Sequence, residues 1–205
     1  MTPSVRTLQG SKIKNFKGSS SLCPRGSKSR GFSRSYTIYS ETIMSKIYGI
    51  KKEFAPVRED RSRIIIGYDC QEAGEGHCTW SEVYFYKKQN PQPSIEQIKE
   101  AVRRSINEAV VKEITEGFVW NGHKVWLSLE NQTNYKNAHD RAVMTEGENL
   151  PVTFRFGSDD EPDDFTFEEV NDLKEFWASA SDYILHTISA GREKKDSIDW
   201  SIYKY

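Results

Sequence analysis

Phe118-Val119-Trp120-Asn121-Gly122-His123-Lys124-Val125-Trp126-Leu127-Ser128-Leu129-Glu130-Asn131-Gln132-Thr133-Asn134-Tyr135 is the stretch that decides how this chain folds. Two short apolar runs flank Asn121-Gly122, a dipeptide that tolerates the positive φ angles of a type I′ turn. Trp120 and Trp126 fall at even spacing, so a strand reading loads both onto one face of the hairpin, against the last helix and near Trp177. Ser128 stands where a helix N-cap belongs, with Glu130 in the first turn near the positive end of the helix dipole. A hairpin therefore runs directly into a helix, and neither element carries a catalytic signature.

Upstream, Lys46–Lys51, Arg63–Asp69 and Thr79–Lys88 read as strands, with Gly74-Glu75-Gly76 turning the chain between the second and third. In the third, Trp80, Val83 and Phe85 are expected opposite Tyr84 and Tyr86 across the pleat. Ser94 and Gln97 fit a capping box, opening a helix over 94–115 that Gly117 closes. Downstream, a helix over 129–145 ends near Gly147. A hairpin of 151–156 and 165–167 follows, carrying an acidic loop at 158–164. A helix over 168–190 is expected to break at Gly191. The pattern is α+β: N-terminal antiparallel strands, a helix, then a small C-terminal domain of two hairpins and two helices. The expected divisions are 1–43, 44–93, 94–116 as a connecting helix, and 117–205.

Hydrophobic residues make up 36% of the chain and charged residues 29%, so the 12% aromatic share must supply much of the core. The net charge of −1 is unevenly spread. Residues 1–43 carry eight Lys and Arg against Glu41 alone, +7, which leaves −8 for the rest. That acidic body argues against nucleic-acid binding, which needs clustered Lys and Arg for phosphate contacts. The Ser-, Gly-, Lys- and Arg-rich segment 1–43 cannot bury enough apolar surface to offset its ordering entropy. It reads as a disordered basic tail or an over-extended start before Met44, with a basic arm and a transit peptide as alternatives. No run approaches the roughly 18 apolar residues of a membrane-spanning helix. Cys23, Cys70 and Cys78 are too few for a disulfide framework and read as reduced thiols.

Cys70, His77 and Cys78, with Asp69, raise a zinc site, but their spacing matches no zinc motif and a second ligand pair is missing. Asp159, Asp160, Glu161, Asp163 and Asp164 fail as a calcium loop, because Asp164 and Val170 occupy its sixth and twelfth positions. They read as a solvated hairpin tip. His123, His139 and His186 are scattered, with no nucleophile elbow or phosphate-binding loop beside them. No catalytic, cofactor-binding or metal-binding residue is therefore expected. The aromatic residues mostly form a core, and Trp120, Trp126, Tyr135 and Trp177 are the candidates for a protein-contact patch.

The run Val125–Asn134 resembles the start of a small domain of unknown function found in tailed-phage proteins and at the C-terminal end of some tail-fibre assembly proteins. Ser128, Gln132, the hairpin 151–167, Phe176-Trp177 and Asp196–Trp200 fill the places of that domain over about 117–200. Residues 45–93 look like the upstream region of related proteins from phages and prophages of gut Bacteroidales. The resemblance implies a non-enzymatic tail component or tail-fibre assembly factor. It would be found in the virion, or in the host cytoplasm during assembly. Its partners would be other phage tail or virion proteins, with self-association as a further expectation. A carboxylate-dependent hydrolase and a small zinc-binding module are the competing classes.

Overall fold

Strand β1 (Ser45–Ile50) opens a computed structural model that describes residues 45–157 and 160–203. The expectation for 1–43 lies outside those residues. β2 (Val57–Glu59), β3 (Arg63–Gly74) and β4 (His77–Tyr86) complete an antiparallel sheet in the order β1-β4-β3-β2. Helix α1 (Ile95–Glu116), the ribbon β5 (Val119–Trp120) and β6 (His123–Lys124), and α2 (Leu129–Met144) follow. The hairpin β7 (Val152–Gly157) and β8 (Pro162–Phe167) and the long α3 (Val170–Asp196) come last, before a 3-10 turn at Trp200–Ile202. The chain is α+β, with its antiparallel sheet preceding the helices.

The β-branched run Ile64-Ile65-Ile66 is buried on both faces of the pleat. On one face Ile64, Ile66, Tyr68, Val83 and Phe85 pack against Ile98, Ala101, Val102 and Ile106 of α1. Each fully buried Ile or Phe contributes about 2 kcal/mol of transfer free energy. The other face corrects the sequence pattern. Trp80 points away from Val83 and Phe85, together with Glu82 and Tyr84, because strand parity separates even from odd positions. Its ring lies over Gly49, where a Cβ would collide with it, and Phe54 meets it edge-on at 5.9 Å.

β3 runs five residues beyond the expected strand, since a bulge between Tyr68 and Gln71 absorbs a residue without ending the pairing. Asp69, with φ 54°, sits in that irregularity. β2 is too short to leave a periodic signature in sequence. Ser94 caps α1 as expected: its hydroxyl accepts from the Gln97 amide, and the Gln97 side chain accepts from the Ser94 amide at 2.8 Å.

α1 serves two cores. Val110 packs on the sheet side, while Ile114 joins a second cluster built from Phe118, Val125, Leu127, Tyr135, Phe156, Phe167, Leu173 and Phe176. α3 does not break at Gly191. It continues to Asp196 because Gly191 lies where α3 crosses α1, packed on Val110. After α3 the chain returns to the sheet, and the Tyr203 hydroxyl donates to the Gly67 carbonyl at 2.9 Å in the first core. Burial pushes that hydroxyl up to about 12.

Candidate functional site

The ribbon β5–β6 forms with Asn121 at φ 47° and Gly122 at φ 87°, the two left-handed positions of a type I′ turn. Beyond Lys124 the chain stays extended. The Val125 amide donates to the Phe118 carbonyl at 3.0 Å, and the Leu127 amide to the Thr115 carbonyl at 2.9 Å. Phe118, Val125 and Leu127 face inward and are buried, so alternation turns Val119, Lys124 and Trp126 outward.

Val119 is 58% exposed, Trp126 44%, and Leu129, at the start of α2, 82%. The backbone under this outward face is fixed locally. The Ser128 hydroxyl accepts from the Asn131 amide at 3.2 Å. The Asn131 side chain donates to the Trp126 carbonyl at 3.0 Å, and the Gln132 side chain to the Leu127 carbonyl at 2.8 Å. Asn131 and Gln132 therefore hold the hairpin-to-helix junction and set the backbone from which Trp126 projects.

The four candidate contact residues separate on burial. Tyr135 is 2% exposed and lies edge-on to Phe154 at 4.8 Å and Phe176 at 5.2 Å. Burial pushes its hydroxyl up to about 12. It is a core residue and presents nothing to a partner. Trp120 is half-buried, edge-on to Phe176 at 5.6 Å, and its buried indole N–H has no hydrogen-bond partner among the described residues. Trp177 is half-buried against the same cluster. Trp126 does not pack on the last helix beside Trp120. The two-residue turn pairs Trp120 with His123 and Val119 with Lys124, so continued alternation puts Trp126 on the outward face with Val119 and Lys124.

The residues weighed for chemistry are placed apart. His77 stacks on Tyr48 at 5.3 Å and 5°. Asp69 pairs with Lys194 at 3.2 Å. Cys78 is buried beside the exposed Cys70, whose thiol is pushed up to about 11 by burial and by the neighbouring Cys78. Among the described residues, no three His, Cys, Asp or Glu side chains gather as ligands for a metal ion.

Asp163 and Asp164 belong to β8 and not to the hairpin tip, where Arg155 faces Asp164 across the ladder and bonds it at 3.0 Å. Asp159 lies outside the described residues. Asp163 instead reaches His123, with Nδ1 and Oδ2 2.5 Å apart, while the His123 ring stands edge-on to Phe165 at 5.0 Å. His123 thus joins the two hairpins and is not the exposed turn residue that its sequence position implies. His139 contacts Asp140 at 3.0 Å, and His186 is exposed on α3.

Sequence reading missed Glu82. It is 1% exposed on the sheet face opposite α1, where its Oε1 accepts the Trp80 indole N–H at 2.7 Å and the Arg58 guanidinium. Its Oε2 accepts the Tyr84 hydroxyl at 3.0 Å. Gly67 lies opposite Glu82 in the ladder and leaves room for the overlying segment Phe54-Ala55. The available signal was parity, since Trp80, Glu82 and Tyr84 share one face of β4.

The chain matches no protein-family model, no curated protein and no solved structure.

Proposed function

We propose that this protein acts through protein–protein contact, without chemistry of its own, as a tail-associated or tail-fibre assembly component of a tailed phage. The outward face of the ribbon carrying Trp126 and Val119, and the exposed Leu129 at the start of α2, support the contact reading. A tryptophan presented from a hydrogen-bonded junction, with exposed aliphatic residues on the elements that flank it, has the composition of an interface anchor. The phage assignment rests on the resemblance of 117–200 to the tailed-phage domain, in which Ser128 and Gln132 have the structural task of fixing that junction.

The test pairs stability with assembly. Leu129→Ser should leave the thermal melt nearly unchanged, because that side chain is largely solvated, and Trp126→Ala should lower it only slightly, because Trp126 is 44% exposed and belongs to neither core cluster. Each should sharply lower the yield of infectious particles when it replaces the wild-type gene in the phage or prophage. Mass spectrometry of purified virions then separates a retained component from an assembly factor. Full particle yield from the double variant, with normal tail fibres, would refute the reading.

A further inference from the structure

A cleft of about 530 Å³ opens between one end of the sheet and the crossing of α1 and α3. This volume lies within the roughly 300–1,000 Å³ typical of small-molecule sites. Four lysines from four elements line it: Lys46 of β1, Lys112 of α1, Lys124 of β6 and Lys194 of α3. Lys194 is committed to Asp69. Lys46, Lys112 and Lys124 form no ion pair among the described residues, although the body of the chain is acidic overall. Of the other two acids in the wall, Glu113 accepts the Tyr183 hydroxyl at 3.0 Å and keeps its charge, so Glu113 and Glu116 face three unpaired ammonium groups and the lining has four lysines against three carboxylates.

The Thr79 and Ser81 positions line the sheet side as hydroxyl donors and acceptors, while Ile106, Val110 and Ala190 supply an apolar wall. Among the described residues no arginine lines the cleft, so an anion there would be held by lysine ammonium groups, which bind phosphate as point charges. Lysine ammonium groups are compact point charges whose donors rotate. Set on different elements around one cleft, they can meet a multiply charged group as separate point charges.

We propose that this cleft binds a small organic phosphate, with the phosphoryl group among Lys46, Lys112 and Lys124 and the organic body against the α1–α3 wall. The proposal is separate from the Trp126 contact reading, because its test reads a ligand and no partner protein.

Isothermal titration calorimetry of the full chain at low salt would use adenosine monophosphate and glucose 6-phosphate, with adenosine, glucose and inorganic phosphate as comparators. Saturable binding of at least one phosphorylated probe is expected, with its unphosphorylated counterpart silent. Lys46→Gln with Lys112→Gln should weaken that binding by about tenfold or more. Lys136→Gln with Lys174→Gln removes the same charge outside the cleft and should hold affinity within about twofold. Silence of both phosphorylated probes at millimolar concentration would overturn the proposal. So would equal weakening by both lysine pairs, or inorganic phosphate binding as tightly as the organic probes.

Discussion

Gly191 of α3 packs directly on Val110 of α1, and a Cβ at position 191 would penetrate the van der Waals surface of Val110 Cγ2. Two effects compete in Gly191→Ala. Alanine favours a helix interior over glycine by up to about 1 kcal/mol. Overpacking a close crossing costs about 1–3 kcal/mol, and a helix-borne valine can yield only by moving its backbone. The clash should win, lowering stability by roughly 1–2 kcal/mol in urea melts. Adding Val110→Ala should recover part of the loss, with a coupling on the order of 1 kcal/mol. A raised midpoint for Gly191→Ala alone would show that the helices separate at no cost.

Arg58 and Glu82 should respond unequally to substitution. The Arg58 side chain is 40% exposed and can hydrate, whereas the carboxylate of Glu82 cannot. Arg58→Ala strands a buried charge with only the Trp80 and Tyr84 donors and should cost about 3 kcal/mol. Glu82→Gln removes the buried charge and keeps an acceptor for the indole, so about 1–2 kcal/mol is expected. The double variant should be more stable than Arg58→Ala alone. Denaturant midpoints of the three proteins decide the matter, and the reverse ranking would mean that Glu82 is not charged in the wild-type fold.

At the Asn121-Gly122 turn, no atom lies within 4 Å of a Cβ added to Gly122. Gly122→Val should therefore be opposed by backbone strain alone, about 1–3 kcal/mol. His123→Ala removes both the Asp163 contact and the edge-on packing on Phe165 and should cost about 1 kcal/mol, moderated by the partial exposure of both side chains. A double-mutant cycle of His123→Ala with Asp163→Ala should show coupling of about half a kcal/mol or more. Strict additivity would mean that the contact contributes nothing.

Asp60 shapes the turn from β2 into β3. Its Oδ1 accepts the Ser62 and Arg63 amides at 2.7 and 2.6 Å, and its Oδ2 accepts Arg63 Nε at 2.8 Å. The Ser62 amide, with the Arg63 side chain and amide, holds the carboxyl at about 2, below its ordinary 3.8. A carboxyl lowered on folding stabilises the fold above its unfolded value and loses that contribution as pH falls through the folded value. The advantage of wild type over Asp60→Asn should therefore be full above about pH 5, shrink as pH falls through about 4 and 2, and be gone near about pH 1, as read by melts across that range. An advantage that does not change with pH would show that the turn does not depend on the carboxylate's charge.

Local chemistry was largely legible in the sequence. Ser94 with Gln97, Ser128, and Asn121-Gly122 each declare their backbone through neighbours a few residues away, and each element lies where those signals place it. Long-range facts were not. Gly191 reads as a helix breaker because glycine is a poor helix former, and only a partner helix far away in sequence explains its presence mid-helix. Hydrophobicity groups Trp80 with Val83 and Phe85, whereas strand parity sets it on the other face with Glu82 and Tyr84. Even spacing does not put Trp120 and Trp126 on one face, because the two-residue turn pairs even positions with odd ones across the ribbon. The lysines of the cleft, spread from 46 to 194, have no common periodicity from which to be recognised.

The bond from Tyr203 to Gly67 spans 136 positions of sequence. During synthesis the sheet and α1 emerge early, yet the ring that completes their core is among the last described residues to leave the ribosome. Until then the apolar surface beside Ile64, Ile66 and Phe85 lacks its cover, and a long loop remains to be closed. The half-made chain therefore passes through an interval with an open, sticky flank. In that interval it is most exposed to aggregation, or to capture by whatever else binds aliphatic surface.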